Sequence, residues 1–210
     1  MADNYLEKRV EELRQNQGRK RTVVRNNVPL ESLLKRNRSF RGYDRSVEVT
    51  EEQLKEIVKT ATWVASGMNA QPLRYRLVSG ADAAVVHPLV KMGSALDVHV
   101  PFPGQEPSAY IVVCSGCEGR AVDIDLGIAA QSILLKAVET GLGGIFLLNF
   151  RADELQAALS LPLKPIAVIA IGKPSERIFL VDAKPGEPLS YYRKDGVHFV
   201  PKLSVKDILI

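Results

Sequence analysis

The chain has 210 residues, of which 46% are hydrophobic and 25% are charged. This length and composition are those of an ordinary folded domain, and they exclude a disordered chain, a collagen-like chain and a disulfide-rich scaffold. The net charge of +4 arises near the amino terminus, because residues 1–45 contain 12 basic and 6 acidic side chains whereas residues 46–210 contain 16 and 18.

Residues 1–28 are predicted to form an N-terminal helix and a basic linker, ahead of a single domain over residues 29–210. The helix, over residues 1–17, has a thin apolar stripe and must lie on the rest of the protein or on a partner subunit. The polar start lacks the apolar core of a secretory signal, and no apolar run approaches the roughly 18 residues of a membrane span. We therefore expect a cytoplasmic protein with no membrane segment.

The first half of the domain is predicted to alternate helices with strands. Pro29 favours a helix over Leu30–Arg36, since proline suits the first turn of a helix. Thr50, with Gln53 three residues later, forms a capping box that predicts a helix to about residue 65. The following elements are a loop at 66–72, a strand at 75–78, a short helix at 82–92, a long loop at 93–107 and a strand at 109–114.

The longest predicted element is a helix over residues 120–140 that ends at Gly141 or Gly143. Nearly all of its positions are apolar or small, so most of its circumference is expected to be buried. The sheet of the same chain could cover the helix, or a subunit interface could cover part of it, and both interpretations remain open. Its polar side chains fall on one stripe, formed by Asp125, Ser132, Lys136 and Glu139.

Three more elements are predicted before the C-terminal tail. They are a strand at 145–148, a short helix at 152–159 and a fully apolar strand at 166–171. The tail, residues 173–210, has proline turns and a helical signal only at its end. Strands that alternate with helices indicate an α/β or α+β protein whose sheet is sandwiched by helices.

The two cysteines, Cys114 and Cys117, are separated by two residues. A zinc site would need a second pair of ligands, and the histidines at 87, 99 and 198 lack ligand spacing, so no metal is expected. A redox-active dithiol is one interpretation of the pair. The other is a buried strand whose exit turn carries Cys117, which the tendency of free cysteine to be buried favours.

The densest cationic segment is residues 35–41, with four basic side chains and no acidic one. Guanidinium forks with a serine hydroxyl between them suit a phosphate group. A solvated charged turn is the alternative interpretation. A basic arm that binds nucleic acid is a third interpretation, but the positive excess is small, aromatic residues are only 6% of the chain, and no nucleic-acid-binding motif is present.

Two further segments carry polar or flexible groups suited to a ligand. The loop at 66–72 contains Asn69 and Gln71, whose amides can pair with the polar edge of a heterocycle. Glycines 141, 143 and 144 follow the long helix and allow the close approach of backbone or of a flat ligand. They do not form a dinucleotide-binding turn, because such a turn opens a helix.

In order and spacing these segments resemble the FMN-dependent nitroreductase family, over roughly residues 30–175. The motifs are Arg38-Ser39-Phe40-Arg41, the 66–72 loop, residues 125–131, Gly141-Leu142-Gly143 and Gly172-Lys173-Pro174. The resemblance implies an α+β fold, with a central sheet sandwiched by helices and one long buried helix. It also implies a homodimer with FMN bound at the subunit interface.

The resemblance assigns roles to residues of these motifs. Arg38, Ser39 and Arg41 would hold the FMN phosphate and ribityl chain, and Arg41 could also reach the pyrimidine edge of the flavin. Asn69 and Gln71 would contact that edge.

Further site residues follow from the same resemblance. Leu148 and Asn149 would place backbone groups near the flavin N5. Many members have a second basic residue two positions before the serine, and here Arg36, one place earlier, is expected to compensate. Arg193 or Lys202 would complete the phosphate site from the C-terminal segment.

The implied activity is hydride transfer from NADH or NADPH through flavin N5 to a small-molecule acceptor such as a nitroaromatic or a quinone, in a ping-pong sequence. No side chain is expected to act as a catalytic nucleophile, acid or base. The alternatives are a flavin enzyme of the same fold with another reaction, such as dehalogenation or flavin fragmentation, and a non-enzymatic basic module that binds nucleic acid.

Overall fold

The computed structural model describes residues 28–93 and 100–210. The helix and linker predicted before residue 28 lie outside the described residues, and so do residues 94–99 of the predicted long loop. The central strands are β1 (Leu73–Ser79), β2 (Ala109–Ser115), β3 (Gly143–Leu147) and β4 (Lys164–Gly172). They form one antiparallel sheet in the order β1-β2-β4-β3.

The described residues also form six α-helices. They are α1 (Leu30–Arg36), α2 (Glu51–Val58), α3 (Ala83–Val86), α4 (Arg120–Glu139), α5 (Ala152–Ala158) and α6 (Val205–Ile208). Within the described part of the chain, no helix is both long enough and apolar enough to cross a membrane.

The sheet has a separate core on each of its faces. On one face Ile57 of α2 and Ile133 of α4 pack against the sheet. On the other face Val86 of α3 and Leu155 of α5 do so. Strand β2 is buried along its whole length because successive side chains alternate between these two cores. The predicted sheet sandwiched by helices is therefore confirmed, in its α+β form.

The structure confirms the predicted start of α2 but not its predicted end. The Gln53 N–H donates to the Thr50 hydroxyl at 3.3 Å, and the Thr50 N–H donates to the Gln53 side chain at 2.9 Å, which completes the capping box. Helix α2 ends at Val58 and continues as a 3₁₀ turn, Lys59–Thr62, so it is shorter than predicted. The helix predicted at 82–92 is only α3 and a 3₁₀ turn over His87–Leu89.

Helix α4 is the long buried helix that the sequence predicts, and Gly141 ends it. Gly141 has a positive φ of 82°, and its N–H and that of Leu142 donate to carbonyls of the last helical turn, the usual pattern of a glycine C-cap. The residues that the structure describes do not cover the helix on every side, since Ile124 and Ile128 are 52% and 38% exposed.

The C-terminal tail forms a second sheet that the sequence does not predict. Its strands are β5 (Ile178–Ala183), β6 (Tyr192–Lys194) and β7 (Val197–Leu203), in the order β5-β7-β6. Asp195 and Gly196 join β6 to β7, both with positive φ, which is the backbone of a tight hairpin turn. The prediction that the tail has a helical signal only at its end is confirmed, since α6 is the helix of residues 173–210, but the three strands before it were not predicted from the sequence.

The cysteines follow the buried-strand interpretation. Cys114 is buried in β2 and Cys117 is exposed after it, and both are free. Burial raises the pKa of the Cys114 thiol, which disfavours a reactive thiolate there. Among residues 28–93 and 100–210, no group of three or more His, Cys, Asp or Glu side chains is arranged to hold a metal ion.

Candidate functional site

The segment after α1 runs beside strand β3. Ser39 forms a parallel bridge with Gly144, and the Phe40 N–H donates to the Gly144 carbonyl at 3.2 Å. Glycines permit this approach, because a Cβ at position 143 would lie 2.7 Å from the Phe40 ring and a Cβ at position 144 would lie 2.3 Å from the Ala170 carbonyl oxygen of β4. The glycines after α4 thus bring backbone against backbone, and this contact positions Ser39 and its neighbours.

Arg38, Ser39 and Arg41 line one cavity of about 320 Å³ together with Lys202. Lys202 is more than 160 positions away from the other three residues in the chain, and the second sheet brings it beside them. Strand β7 contributes alternate residues to the cavity wall, namely His198, Val200 and Lys202, since every second side chain of a strand faces the same way.

Arg38 and Arg41 bring positive charge to this cavity. Arg41 is only 8% exposed. Its Nη1 donates to the Ser39 carbonyl at 3.0 Å, and its guanidinium carbon lies 4.7 Å from the centre of the Tyr191 ring. The Nε atoms of both arginines are buried and have no hydrogen-bond partner among the described residues. Buried cationic donors that the protein leaves unpaired are suited to bind an anion.

Glu176 contacts Arg41, a residue of the cavity wall, and no sequence motif indicated it. Its carboxylate accepts hydrogen bonds from the backbone N–H of Arg41 and from the guanidinium of Arg193. Arg193 is therefore already paired with an acidic group, and its guanidinium carbon also lies 5.6 Å from the centre of the Phe102 ring. Of the two predicted C-terminal cations, Lys202 is the one that lines the cavity.

His198 is a second residue of this site that sequence reasoning missed. Its side chain is 1% exposed, and its Nδ1 lies 4.0 Å from Oε2 of Glu176. Burial, followed by the positive charges of Arg41 and Arg193, lowers the pKa of His198 to about 4. The imidazole is therefore neutral at pH 7.

The loop at 66–72 is held by the buried carboxylate of Asp125. The Ser66 hydroxyl and the Gly67 N–H donate to this carboxylate at 2.6 and 2.9 Å. Asp125 is only 5% exposed, so this member of the polar stripe of α4 is buried and its carboxylate holds the loop. Asn69 and Gln71 both have positive φ, 54° and 47°, and such backbone strain is typical of functional loops.

Asn69 and Gln71 do not line the cavity that Arg38 lines. Gln71 instead borders a second cavity of about 250 Å³, beside Asp125. Asp125 and Gln131, which borders the first cavity, are six residues apart on α4, or about 9 Å along the helix axis. Within one chain the two sets of predicted site residues therefore occupy different places on α4.

The other predicted residues also lie away from the arginine-lined cavity. Leu148 is 66% exposed at the far end of β3, and the Asn149 carbonyl accepts the Lys91 N–H at 2.9 Å. Arg36 directs its Nη2 towards the Val138 carbonyl, 3.4 Å away, at the end of α4. The roles suggested for these residues stay predictions.

The sequence profile of the nitroreductase family matches residues 34–96 and 118–173 of this chain, more than half of its length. The chain belongs to the nitroreductase family. The matched nitroreductase segments include the arginine-serine segment after α1, the 66–72 loop and helix α4. The structural elements that form both cavities are therefore largely those of the family.

Individual nitroreductase relatives agree with this assignment. A protein of Methanothermobacter thermautotrophicus is 30% identical, over 68% of this chain and 76% of that protein, and carries the provisional name NADH dehydrogenase/NAD(P)H nitroreductase. The solved FMN-dependent nitroreductase of Clostridium difficile R20291 is 25% identical, with a TM-score of 0.56 over 69% of this chain and 87% of that chain.

A further solved structure supports the fold alone. It is a nitroreductase of Exiguobacterium sibiricum in complex with FMN, 19% identical, with a TM-score of 0.58 over 71% of this chain and 90% of that chain. The shared fold confirms the α+β, nitroreductase-like architecture that the sequence predicts.

Proposed function

We propose that this chain is an FMN-dependent oxidoreductase that takes hydride from NADH or NADPH and passes it to nitroaromatic or quinone acceptors. The observation that carries the proposal is the cavity lined by Arg38, Ser39, Arg41 and Lys202. Three cationic side chains and a hydroxyl converge there, and two buried guanidinium Nε atoms lack a partner in the described part of the chain. This donor set fits the phosphate of FMN.

Different residues would hold different parts of the cofactor. Arg38, Arg41 and Lys202 would hold the phosphate, with the Ser39 hydroxyl as a short-range donor. The amides of Asn69 and Gln71 would pair with the polar edge of the flavin and thereby tune its potential. Leu148 and Asn149 would supply backbone groups near N5.

When bound, FMN supplies the hydride chemistry. The chain's own residues would bind, orient and neutralise charge, and none need act as a nucleophile. Electrostatic positioning of this kind is a sufficient role for a protein whose cofactor carries the reacting atoms. We therefore expect no single side-chain substitution to block hydride transfer in the way that loss of a catalytic nucleophile would.

A homodimer would unite the two sets of site residues. The loop that carries Asn69 and Gln71 borders a different cavity from Arg38 in one chain, and it is exposed, with Met68 99% accessible. The exposed Ile124 and Ile128 provide an apolar surface on α4, the helix that borders both cavities. A two-fold arrangement across α4 would bring the loop of one subunit to the cavity of the other.

The dimer can be tested by mass in solution. We expect sedimentation equilibrium to give twice the 23.1 kDa of one chain. Ile124→Asp places a charge on the exposed face of α4, and we expect it to shift the protein towards monomer and to release bound FMN. The matched control is Ile208→Asp, which changes an exposed isoleucine of α6. A wild-type protein that is monomeric with FMN bound would contradict the interface.

The activity is tested by anaerobic reduction. We expect purified protein to show the absorbance bands of oxidised flavin, and these to bleach on addition of NADH or NADPH. Adding a nitroaromatic or a quinone should restore the bands. If the bands bleach but neither class of acceptor restores them, another reaction of a flavin enzyme, such as dehalogenation, becomes the better proposal.

A nucleic-acid-binding role has less support from the described residues. Arg41 is buried, and Arg38 has one guanidinium nitrogen bonded to the Leu34 carbonyl at 2.6 Å. Side chains that bind a polyanion need to project from an exposed surface. These two arginines suit a small anion enclosed in a cavity.

A further inference from the structure

His198 is a buried polar side chain whose ring nitrogens are left unsatisfied by the described part of the chain. It is 1% exposed, and neither ring nitrogen has a hydrogen-bond partner within residues 28–93 and 100–210. Leaving a buried imidazole unpaired is costly, so native proteins rarely do so without a reason. Because His198 lines the cavity of Arg38, Ser39 and Lys202, the missing partner is expected to be a ligand in that cavity.

The groups around the imidazole cannot satisfy it. Oε2 of Glu176 lies 4.0 Å from Nδ1, which is beyond hydrogen-bond distance. That carboxylate already accepts from the Arg41 N–H and from the Arg193 guanidinium. The centre of the Tyr191 ring lies 5.2 Å from that of the imidazole. Both arginines are donors only, so neither can accept an imidazole N–H.

The backbone holds His198 rigidly in place. It lies on β7, the middle strand of the second sheet, opposite Ile178 on β5 and Arg193 on β6. Its own N–H donates to the Arg177 carbonyl at 3.0 Å. The imidazole is therefore positioned in advance of any ligand, which lowers the entropic cost of binding one.

The charge of the site favours a neutral donor at this position. Arg38, Arg41 and Lys202 already supply three cationic groups to the cavity, and Arg193 lies behind Glu176. A further fixed cation would be repelled by these groups in the absence of the ligand. A neutral imidazole adds a hydrogen bond to an anion without this repulsion.

We propose that His198 is an additional phosphate-binding residue, which donates a ring N–H to an oxygen of the anion held by Arg38 and Arg41. The inference rests on the proposed function, because the anion is taken to be the phosphate of FMN. It assigns to β7 two ligands on one face, His198 and Lys202. His198 is a binding residue and takes no part in hydride transfer.

The test compares FMN with riboflavin, which has the same ring system but no phosphate. Dissociation constants are measured from the quenching of flavin fluorescence for the wild type, His198→Phe and His198→Gln. We expect His198→Phe to weaken FMN binding by about tenfold or more and to leave riboflavin binding unchanged. His198→Gln keeps an N–H donor and should recover part of the loss.

His87→Phe is the matched control. His87 contacts the Tyr110 hydroxyl through Nδ1 at 3.1 Å and borders a different cavity. We expect His87→Phe to keep the wild-type ratio of FMN to riboflavin affinity. Using the ratio removes any general loss of folded protein, because such a loss affects both ligands equally.

A second measurement follows ligand binding by the wild type alone, so it does not depend on a variant that still binds the ligand. The wild type has three histidines, so in NMR spectra of the ¹⁵N-labelled protein the His198 imidazole signals are identified as those that are missing from His198→Gln. These signals should shift when FMN is added and should not shift when riboflavin is added. Unmoved signals, or a His198→Phe variant that keeps the full preference for FMN, would overturn the role of His198 and leave the proposed function intact. A wild type that binds neither flavin would overturn the proposed function itself.

Discussion

Arg38→Ala is expected to weaken FMN binding about ten- to a hundredfold, since losing a charged hydrogen-bond partner costs about 1.5–3 kcal/mol. The Arg38 Nε is buried without a partner among the described residues, and burial lowers the pKa of its guanidinium. Much of its desolvation cost therefore falls on the free protein and is recovered when an anion binds. Flavin retained after gel filtration, and the dissociation constant for added FMN, measure the effect.

Lys35→Ala is the control that distinguishes a defined phosphate site from a general patch of positive charge. Lys35 lies three residues earlier, has the same charge, and pairs with Glu31 at 2.6 Å on an exposed face of α1. An exposed pair of this kind contributes about 0–1 kcal/mol, so its loss should hardly change FMN binding. Equal losses in Arg38→Ala and Lys35→Ala would show that general positive charge, and no defined phosphate site, retains the cofactor.

Gly144→Ala is expected to lower the free energy of unfolding by about 3 kcal/mol and the Tm by about 6–12 °C. The added Cβ would lie 2.3 Å from the Ala170 carbonyl oxygen, 2.8 Å from Leu134 and 2.9 Å from Ile171. The first of these is backbone of the adjacent strand, which cannot move without distorting the sheet. The bridge to Ser39 would be displaced with it, so FMN binding should fall as well.

Gly116→Ala is the matched control for stability. Its added Cβ would meet only the Leu163 side chain, at 3.4 Å, so a change within about 0.5 kcal/mol is expected. Urea unfolding followed by circular dichroism measures both variants. A Gly144→Ala protein as stable as Gly116→Ala would contradict the close packing described between β3 and β4.

Features encoded by neighbouring residues were predictable from the sequence. The capping box of Thr50 and Gln53 and the glycine end of α4 depend on residues within one turn, so the local sequence is sufficient to predict both features. The arginine-serine segment could also be recognised locally. Its place beside β3 could not, because it depends on a backbone contact between residues 39 and 144.

Features that depend on distant pairing were missed. Strand β5 pairs in parallel with β7, and such pairing has no local signature in short, half-exposed strands. Glu176 contacts the backbone of Arg41, which is 135 positions away in the chain, and no sequence pattern near Glu176 predicts this contact. His198 could be noticed only as an isolated histidine, since its burial follows from the unpredicted sheet.

The described basic residues near the amino terminus lie in different environments. Arg38 and Arg41 belong to the cavity, whereas Lys35 is paired on the surface with Glu31 and Arg36 lies near the carbonyl at the end of α4. Two arginines and the distant Lys202 thus account for the cationic site. The size of this set suits one phosphate group and not a polyanion.

The most direct test of the account is a titration of the flavin-free protein with FMN, followed by flavin fluorescence and by absorbance. The proposed phosphate site requires saturable quenching with one FMN per chain, and weaker binding of riboflavin. A protein that stays colourless and leaves the fluorescence of added FMN unquenched, or one that binds riboflavin as tightly as FMN, would contradict the central claim.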